Sequence, residues 1–271
     1  MENLYSLTYP WLKTDDVHPI TCCICSGRNK QKPINQFVLN KQIFKIMRCL
    51  TDELMYLSPQ PGKKYCNSLY NHPSYFEGTD DMYGLSMAEQ KAKEIAKIRI
   101  NEIRQYAPQA SSILEIGCAH GRLLEEAQRQ GFSIVKGVEF SQQAVKVCQE
   151  KNLNVKYEDI NDLSTENSVE KFDIVASYSV LEHLNNPCEF LSKIKNFLKP
   201  GGVLIIRAPD TDPLEGPKLS LLDHFWHFTK TSIRKILEKN GFKIKDIFPS
   251  GIFYGIQHPG ELKSITIVAT L

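Results

Sequence analysis

Ile113-Leu-Glu-Ile-Gly-Cys-Ala-His-Gly121 is the stretch on which the architecture of this chain turns. It opens with an apolar run of strand length, and Gly121 is followed at once by Arg122-Leu-Leu-Glu-Glu-Ala127, an amphipathic helical start. Gly117 and Gly121 stand at the strand-to-helix turn, where the missing Cβ lets backbone come close to a ligand. In open α/β sheets, the crevice beyond the carboxyl ends of the strands is where ligands bind. A dinucleotide fingerprint needs G-x-G-x-x-G, and Ala119 stands where its second glycine belongs. A triphosphate loop needs Gly-Lys-Ser/Thr after the turn, and Gly121 is followed by Arg122-Leu123. Taken alone, the segment is equally compatible with a plain tight turn, so its surroundings decide.

Working outward, strand-like apolar runs alternate with amphipathic segments. The pattern predicts strands at 112–116, 133–138, 154–158, 172–177, 202–208, 243–249 and 263–270, and helices at 121–130, 141–151, 187–198 and 229–240. Such alternation argues for an α/β fold with a mostly parallel sheet covered on both faces. The connection from Pro249 to Gly260 is rich in Pro and Gly and has no helical period, so the last two strands are expected to pair antiparallel. Upstream, Met87, Ile95, Ile98 and Ile103 recur at near-helical spacing over Leu85 to Tyr106, and Pro108 ends that segment. Residues 1–84 have a different texture, rich in Cys, Pro, Asn and Tyr with little sustained period. The expected organisation is therefore a module over 1–84 and an α/β domain over 85–271.

The bulk numbers exclude some function classes. The chain has 271 residues, a net charge of +2 and 42% apolar residues, ordinary values for a soluble globular protein. That balance supplies no basic field for nucleic acid. No apolar run approaches the ~20 residues that span a bilayer, and the N-terminus lacks the basic and apolar regions of a signal peptide. A cytoplasmic protein, with neither nucleic acid nor membrane as partner, is the expectation. In a reducing compartment the eight cysteines read as buried thiols or metal ligands rather than disulfides.

Acids follow the glycine turn at the ends of the next strands. Val138-Glu139-Phe140-Ser141 closes the second, where a carboxylate can accept hydrogen bonds from ribose hydroxyls. Glu158-Asp159-Ile160 closes the third. Phe172-Asp173-Ile174-Val175 opens the fourth and leads to Ser177-Tyr-Ser-Val-Leu-Glu-His-Leu184, and Leu198-Lys-Pro-Gly-Gly202 precedes the fifth. Each piece has a bland reading as a surface acid or a turn. In this order, with E-x-G-x-x-x-G at 115–121, they resemble the class I S-adenosylmethionine-dependent methyltransferases. The resemblance implies a seven-stranded, mostly parallel Rossmann-like sheet with an antiparallel last strand. It implies S-adenosyl-L-methionine as cofactor, held by Glu115, Gly117, Cys118, Ala119, Gly121, Glu139, Phe140, Asp159, Ile160, Ser177 and Tyr178. Tyr75, in the aromatic segment Tyr70-Asn-His-Pro-Ser-Tyr75-Phe76, would fold over it.

Cys22-Cys-Ile-Cys25 and Arg48-Cys49-Leu-Thr-Asp52-Glu-Leu-Met-Tyr56 are similar to the two knuckles of the zinc ribbons that open many sugar and natural-product methyltransferases. Asp52 stands where a second cysteine is usual. Carboxylate oxygen ligates zinc, so Cys22, Cys25, Cys49 and Asp52 form a reasonable structural site. A ribbon that has lost its metal is the competing reading, and Cys23 or Cys66 can replace the fourth ligand. The ribbon implies a sugar, sugar nucleotide or glycan-linked acceptor, as in polysaccharide biosynthesis.

Methyl transfer is an in-line displacement that needs aim and removal of the acceptor's proton. Candidate bases are His183, in Leu181-Glu-His-Leu184, and His224 and His227, in Asp223-His-Phe-Trp-His-Phe-Thr229. The second segment is equally suited to helix capping and aromatic packing. O-methylation of a small molecule is the expected chemistry. N-methylation, a protein or lipid acceptor, and a non-catalytic cofactor- or partner-binding module are the rivals.

Overall fold

The structure, a computed structural model, describes residues 16–39, 42–72, 85–160, 170–211, 224–250 and 263–271. Two sheets organise it. The larger has seven strands: β6 (Ser112–Ile116), β7 (Ile134–Glu139), β8 (Val155–Tyr157), β9 (Phe172–Tyr178), β10 (Leu198–Pro209), β12 (Lys243–Ser250) and β13 (Ser264–Thr270), in the spatial order β12-β13-β10-β9-β6-β7-β8. Pairings from β10 through β8 are parallel, while β13 runs antiparallel to both β10 and β12. The expected sheet and its antiparallel last strand are both found. All five residues of β6 are buried, as a strand covered on both faces requires.

Helices α2 (Leu85–Tyr106), α3 (Arg122–Arg129), α4 (Gln142–Glu150), α5 (Pro187–Ile194) and α6 (Lys230–Lys239) sit at or near their predicted bounds. The helix expected over 187–198 ends early, in a 3-10 turn at Lys195–Phe197. Leu198 already pairs with Phe172 in the sheet, and the register shifts before Val203. Gly202 lies in that shifted stretch, where a Cβ would stand only 2.9 Å from the Lys199 carbonyl oxygen. The strand edge opposite the glycine turn is stapled by Asp173. Its carboxylate accepts from the Ser111 and Ser112 amides at 3.0 and 2.9 Å and from Lys199 Nζ at 3.0 Å.

The N-terminal part holds more regular structure than its sequence texture suggests. Strands β2 (Gln31–Leu39), β3 (Gln42–Cys49) and β4 (Met55–Ser58) form an antiparallel sheet. A two-strand pair, β1 (Val17–His18) with β5 (Gln60–Pro61), lies beside the helix α1 (Lys63–Tyr70). The hairpin is hard to read from sequence because apolar residues stand on both of its faces: Phe44 and Ile46 are buried, while Val38 and Ile43 are 63% and 51% exposed, so the sequence pattern does not mark the core face. A fourth strand, β11 (Trp226–His227), comes from the segment between β10 and α6 and pairs with β4. Buried Phe44, Ile46, Leu54 and Tyr56 join Leu114, Ile206 and Phe225 in one apolar cluster, so the change of texture at residue 84 does not divide the packing. Among the described residues, no helix is long and apolar enough to cross a membrane.

Candidate functional site

At the carboxyl ends of β6, β7 and β9 lies a cavity of about 270 Å³. The glycine turn forms one wall. The amides of Gly117 and Cys118 both bond the Val138 carbonyl, at 2.8 and 3.3 Å, which hangs the turn from the end of β7. Gly117 has φ +75°, and a Cβ on it would lie 2.4 Å from Val180 Cγ2. Both conformation and space therefore demand glycine at this position. Ala119 follows at φ 45°, a left-handed conformation unusual for a residue with a Cβ. Its amide is held by Glu139 Oε2 at 2.8 Å.

Glu139 faces the cavity from the end of β7. Its second oxygen accepts from the Phe140 and Ser141 amides at 2.7 and 2.8 Å. Burial pushes this carboxyl above the usual range, and the three amides oppose that shift. Asp159 lines the same cavity, with Phe140 and Ile160 as apolar walls. Tyr178, Ser179 and Val180, where the chain leaves β9, form the far side. Cys66 and Tyr70 of α1 close it from the N-terminal part. Tyr70 stands edge-on to Phe140 and to His183, with centroids 6.2 and 6.0 Å away.

Of the expected cofactor residues, the structure brings Gly117, Ala119, Glu139, Phe140, Asp159, Ile160 and Tyr178 to this cavity. Glu115, Cys118, Gly121 and Ser177 lie off it. Glu115 and Ser177 are buried within the sheet, at 3% and 1% exposure, and burial pushes Glu115 up to about 8 while the Arg99 charge opposes the rise. Cys118 packs under the turn. Gly121, at φ +73°, is the N-cap of α3, and a Cβ there would meet Leu153 at 2.4 Å. Tyr75 lies outside the described residues. Cys66 and Tyr70 belong to the site although neither was expected to hold the cofactor. Tyr70 opens the aromatic segment that signalled it, whereas nothing near Cys66 did.

The segment that carries the candidate bases is fixed by one hydrogen-bonded seam. The 3-10 turn Leu181–His183 follows β9, and its Glu182 carbonyl accepts from the Phe225 amide at 2.8 Å. Trp226 Nε1 donates to the Leu184 carbonyl at 2.7 Å, and the Leu57 amide to the Phe225 carbonyl at 2.9 Å. These bonds set His224 beside His183, with ring centroids 4.8 Å apart. His183 lines the cavity, whereas His224 packs against it without lining the cavity itself. His227 is directed elsewhere: it is buried in β11, 6.4 Å from His224 ring to ring, and burial depresses its imidazole to about 3. Asp223 lies outside the described residues. Arg207 is buried between strands, where it donates to Ser264 Oγ at 3.0 and 2.8 Å.

In the N-terminal part, Cys22, Cys25, Cys49 and Asp52 are all buried and place one donor atom each within 4.8 Å of all the others. Cys25 and Cys49 sulfurs are 3.9 Å apart, and Asp52 Oδ2 lies 3.7 Å from Cys22 and 3.2 Å from Cys49. A tetrahedral zinc with sulfur ligands at about 2.3 Å separates its donors by about 3.8 Å, so this set fits that metal. Cys23 and Cys66 are not part of the cluster. Cys23 sits instead against Cys188 on α5, and its carbonyl accepts from Lys239 of α6 at 2.8 Å.

Comparison with known proteins finds relatives in sequence and in fold. The pattern of the methyltransferase-domain family matches residues 87–247. The ubiquinone biosynthesis O-methyltransferase of Haemophilus ducreyi is 32% identical over 103 residues, which is 35% of this chain and 43% of that protein. The mitochondrial enzyme of the same name from Dictyostelium discoideum is 29% identical over 109 residues, 35% of this chain and 34% of its own length. The chain thus spans about half or less of the curated relatives it matches. Among solved structures, magnesium protoporphyrin IX methyltransferase from Synechocystis superposes with a TM-score of 0.57 at 17% identity, covering 77% of this chain and 99% of that one. A methyltransferase from Archaeoglobus fulgidus gives 0.54 at 20% identity, over 72% and 98% of the two chains. At these identities the likeness is one of fold.

Proposed function

The chain belongs to the methyltransferase-domain family, and on that premise we propose that it transfers the methyl group of S-adenosyl-L-methionine to a hydroxyl of a small molecule. The observation that carries this reading is the pairing in one cavity of Glu139 and Asp159 with a glycine turn, and of His183 at its mouth. Two carboxylates suit ribose hydroxyls and an adenine amine, Phe140 and Ile160 offer flat apolar contact, and Gly117 lets backbone approach. The sulfonium of the cofactor supplies an already activated methyl group. This chain then has to exclude water, aim the acceptor and take its proton.

We assign the last task to His183, which lines the cavity. In its unprotonated form the imidazole would accept the hydroxyl proton as the acceptor oxygen takes the methyl group. His224 orients it from 4.8 Å. His227, neutral and buried, positions β11 rather than moving protons. The relatives favour oxygen as the acceptor atom, on a small molecule of the kind met in ubiquinone biosynthesis. The sugar or glycan acceptor that the ribbon implies finds no support among them. We also propose that Cys22, Cys25, Cys49 and Asp52 hold a structural zinc, for which the donor separations are the support.

Calorimetry with S-adenosylmethionine and its demethylated product tests the premise, and no binding at millimolar ligand overturns it. Mass spectrometry after incubation with phenolic, sugar-nucleotide and amine acceptors tests the rest. Methylation confined to amines overturns the oxygen acceptor.

A further inference from the structure

We propose that Cys23 and Cys188 are a redox-active thiol pair, which low-molecular-weight disulfides of the glutathione class convert to a disulfide between the cysteine knuckle and α5. The proposal goes beyond methyl transfer and does not depend on it. The two residues are 165 positions apart in sequence, yet Cys188 Sγ lies 3.3 Å from the Cys23 carbonyl oxygen, to which the neutral thiol donates. The Cys23 thiol in turn hydrogen-bonds to Cys188. Of the three knuckle cysteines, Cys22 and Cys25 converge on Cys49 and Asp52, whereas Cys23 stands outside that cluster. Cys23 and Cys188 are both half-buried, while Cys66, Cys118 and Cys148 are buried. A small oxidant therefore reaches this pair without unfolding the protein and without drawing on the cluster.

The surroundings favour Cys188 as the attacking sulfur. It sits in the first turn of α5, where the helix dipole favours a thiolate. Lys239, at the end of α6, donates to the Cys23 carbonyl at 2.8 Å and sets an ammonium near both sulfurs. The hydrogen bond from Cys23, with the Lys239 charge and the Asn240 side chain, holds the Cys188 thiol below its usual range, at about 7, against the effect of burial. The Cys188 thiolate attacks one sulfur of glutathione disulfide, forming a mixed disulfide and releasing a glutathione thiolate, which takes up the proton that Cys188 lost to solvent. Cys23 then attacks the Cys188 sulfur, and the second glutathione leaves with the Cys23 proton. Two protein thiols are oxidised, and one glutathione disulfide is reduced to two thiols. The segment closed by this bond contains every residue that lines the cofactor cavity, from Cys66 to Leu184. Closing so long a loop restricts the unfolded chain far more than the folded one.

A glutathione redox titration of the purified full-length protein tests this, with free thiols alkylated at each ratio and the peptides mapped by mass spectrometry. The expected species links tryptic peptide 14–28 to peptide 172–193, and fragmentation places the bond on Cys23 and Cys188. It reverts with excess dithiothreitol and is missing from both Cys23→Ser and Cys188→Ser. Oxidised wild type should melt at least about 5 °C above the reduced protein, and Cys188→Ser should show no such shift. Circular dichroism checks the fold of both variants, and the fragmentation result on wild type stands without them. A linked peptide that persists in Cys23→Ser overturns the proposal. Oxidation confined to Cys22, Cys25 and Cys49 overturns it too, as does a mixed glutathione disulfide on Cys188 that never resolves onto Cys23.

Discussion

Glu139 has two positions to fill at the scale of a single residue, since it lines the cavity and its carboxylate holds the amides of Ala119, Phe140 and Ser141. Hydrogen bonds to a charged group contribute about 1.5–3 kcal/mol each, so Glu139→Ala should weaken cofactor binding by about 10–100-fold or more, read by calorimetry. Unchanged affinity would remove Glu139 from the ribose role. Glu115, one strand away, shows the opposite character: it is buried in the sheet with Oε2 lacking a hydrogen-bond partner among the described residues. Its folded-state value of about 8 lies above the ordinary 4.5, so its favourable contribution is complete below pH 4.5 and is lost as pH rises through about 8. Glu115→Gln should therefore gain stability over wild type progressively across that window. Denaturation midpoints measured at pH 5 and pH 8 check this, and a difference that ignores pH would contradict it.

Helix α6 shows how elements position the site. Thr229 and Ser232 form a capping box, with the Ser232 amide bonding Thr229 Oγ1 at 3.1 Å and the Thr229 amide bonding Ser232 Oγ at 2.8 Å. Thr229→Ala should cost about 1 kcal/mol and lower the melting temperature by a few degrees. The helix then reaches the N-terminal part through lysines: Lys235 Nζ bonds the Thr51 carbonyl at 2.6 Å and Lys239 Nζ the Cys23 carbonyl at 2.8 Å. Strand β11 has only two residues, yet it joins the N-terminal sheet to the turn that follows β9. Trp226→Phe keeps most of the apolar contact and deletes the bond to Leu184. We expect it to lower kcat more than it raises the KM for the cofactor, because it loosens the seam that holds His224 beside His183. An equal loss in both would place Trp226 on the cofactor side instead.

For the whole molecule, the cysteine cluster lies far along the chain from the cofactor turn but within the same apolar core, where Cys22 and Cys49 share one cluster with Tyr56, Ile206, Phe225 and Trp226. Stripping zinc, or Cys49→Ser, should lower the melting temperature by more than about 5 °C, followed by metal analysis and calorimetry. A zinc ratio near zero in the purified protein would refute the structural metal. The sequence by itself determined the α/β sheet and its antiparallel last strand, and it singled out residues from Gly117 to Ile160 that line one cavity. Those features rest on local rules: short apolar runs of strand length, glycine at positive φ, and an acid at the end of a strand. Glu115 and Ser177 escaped that logic, because only packing shows which side of the sheet a strand residue faces. The N-terminal hairpin escaped it too, since apolar residues stand on both of its faces, buried Phe44 and Ile46 beside exposed Ile43. Tertiary structure alone decided that Cys66 and Tyr70 close the cavity, that His227 is buried, and that Glu182, His183 and His224 converge. The physical reason is the same in each case: these groups meet through β11 and α1, between segments far apart in sequence, and no local spacing encodes which of them will touch.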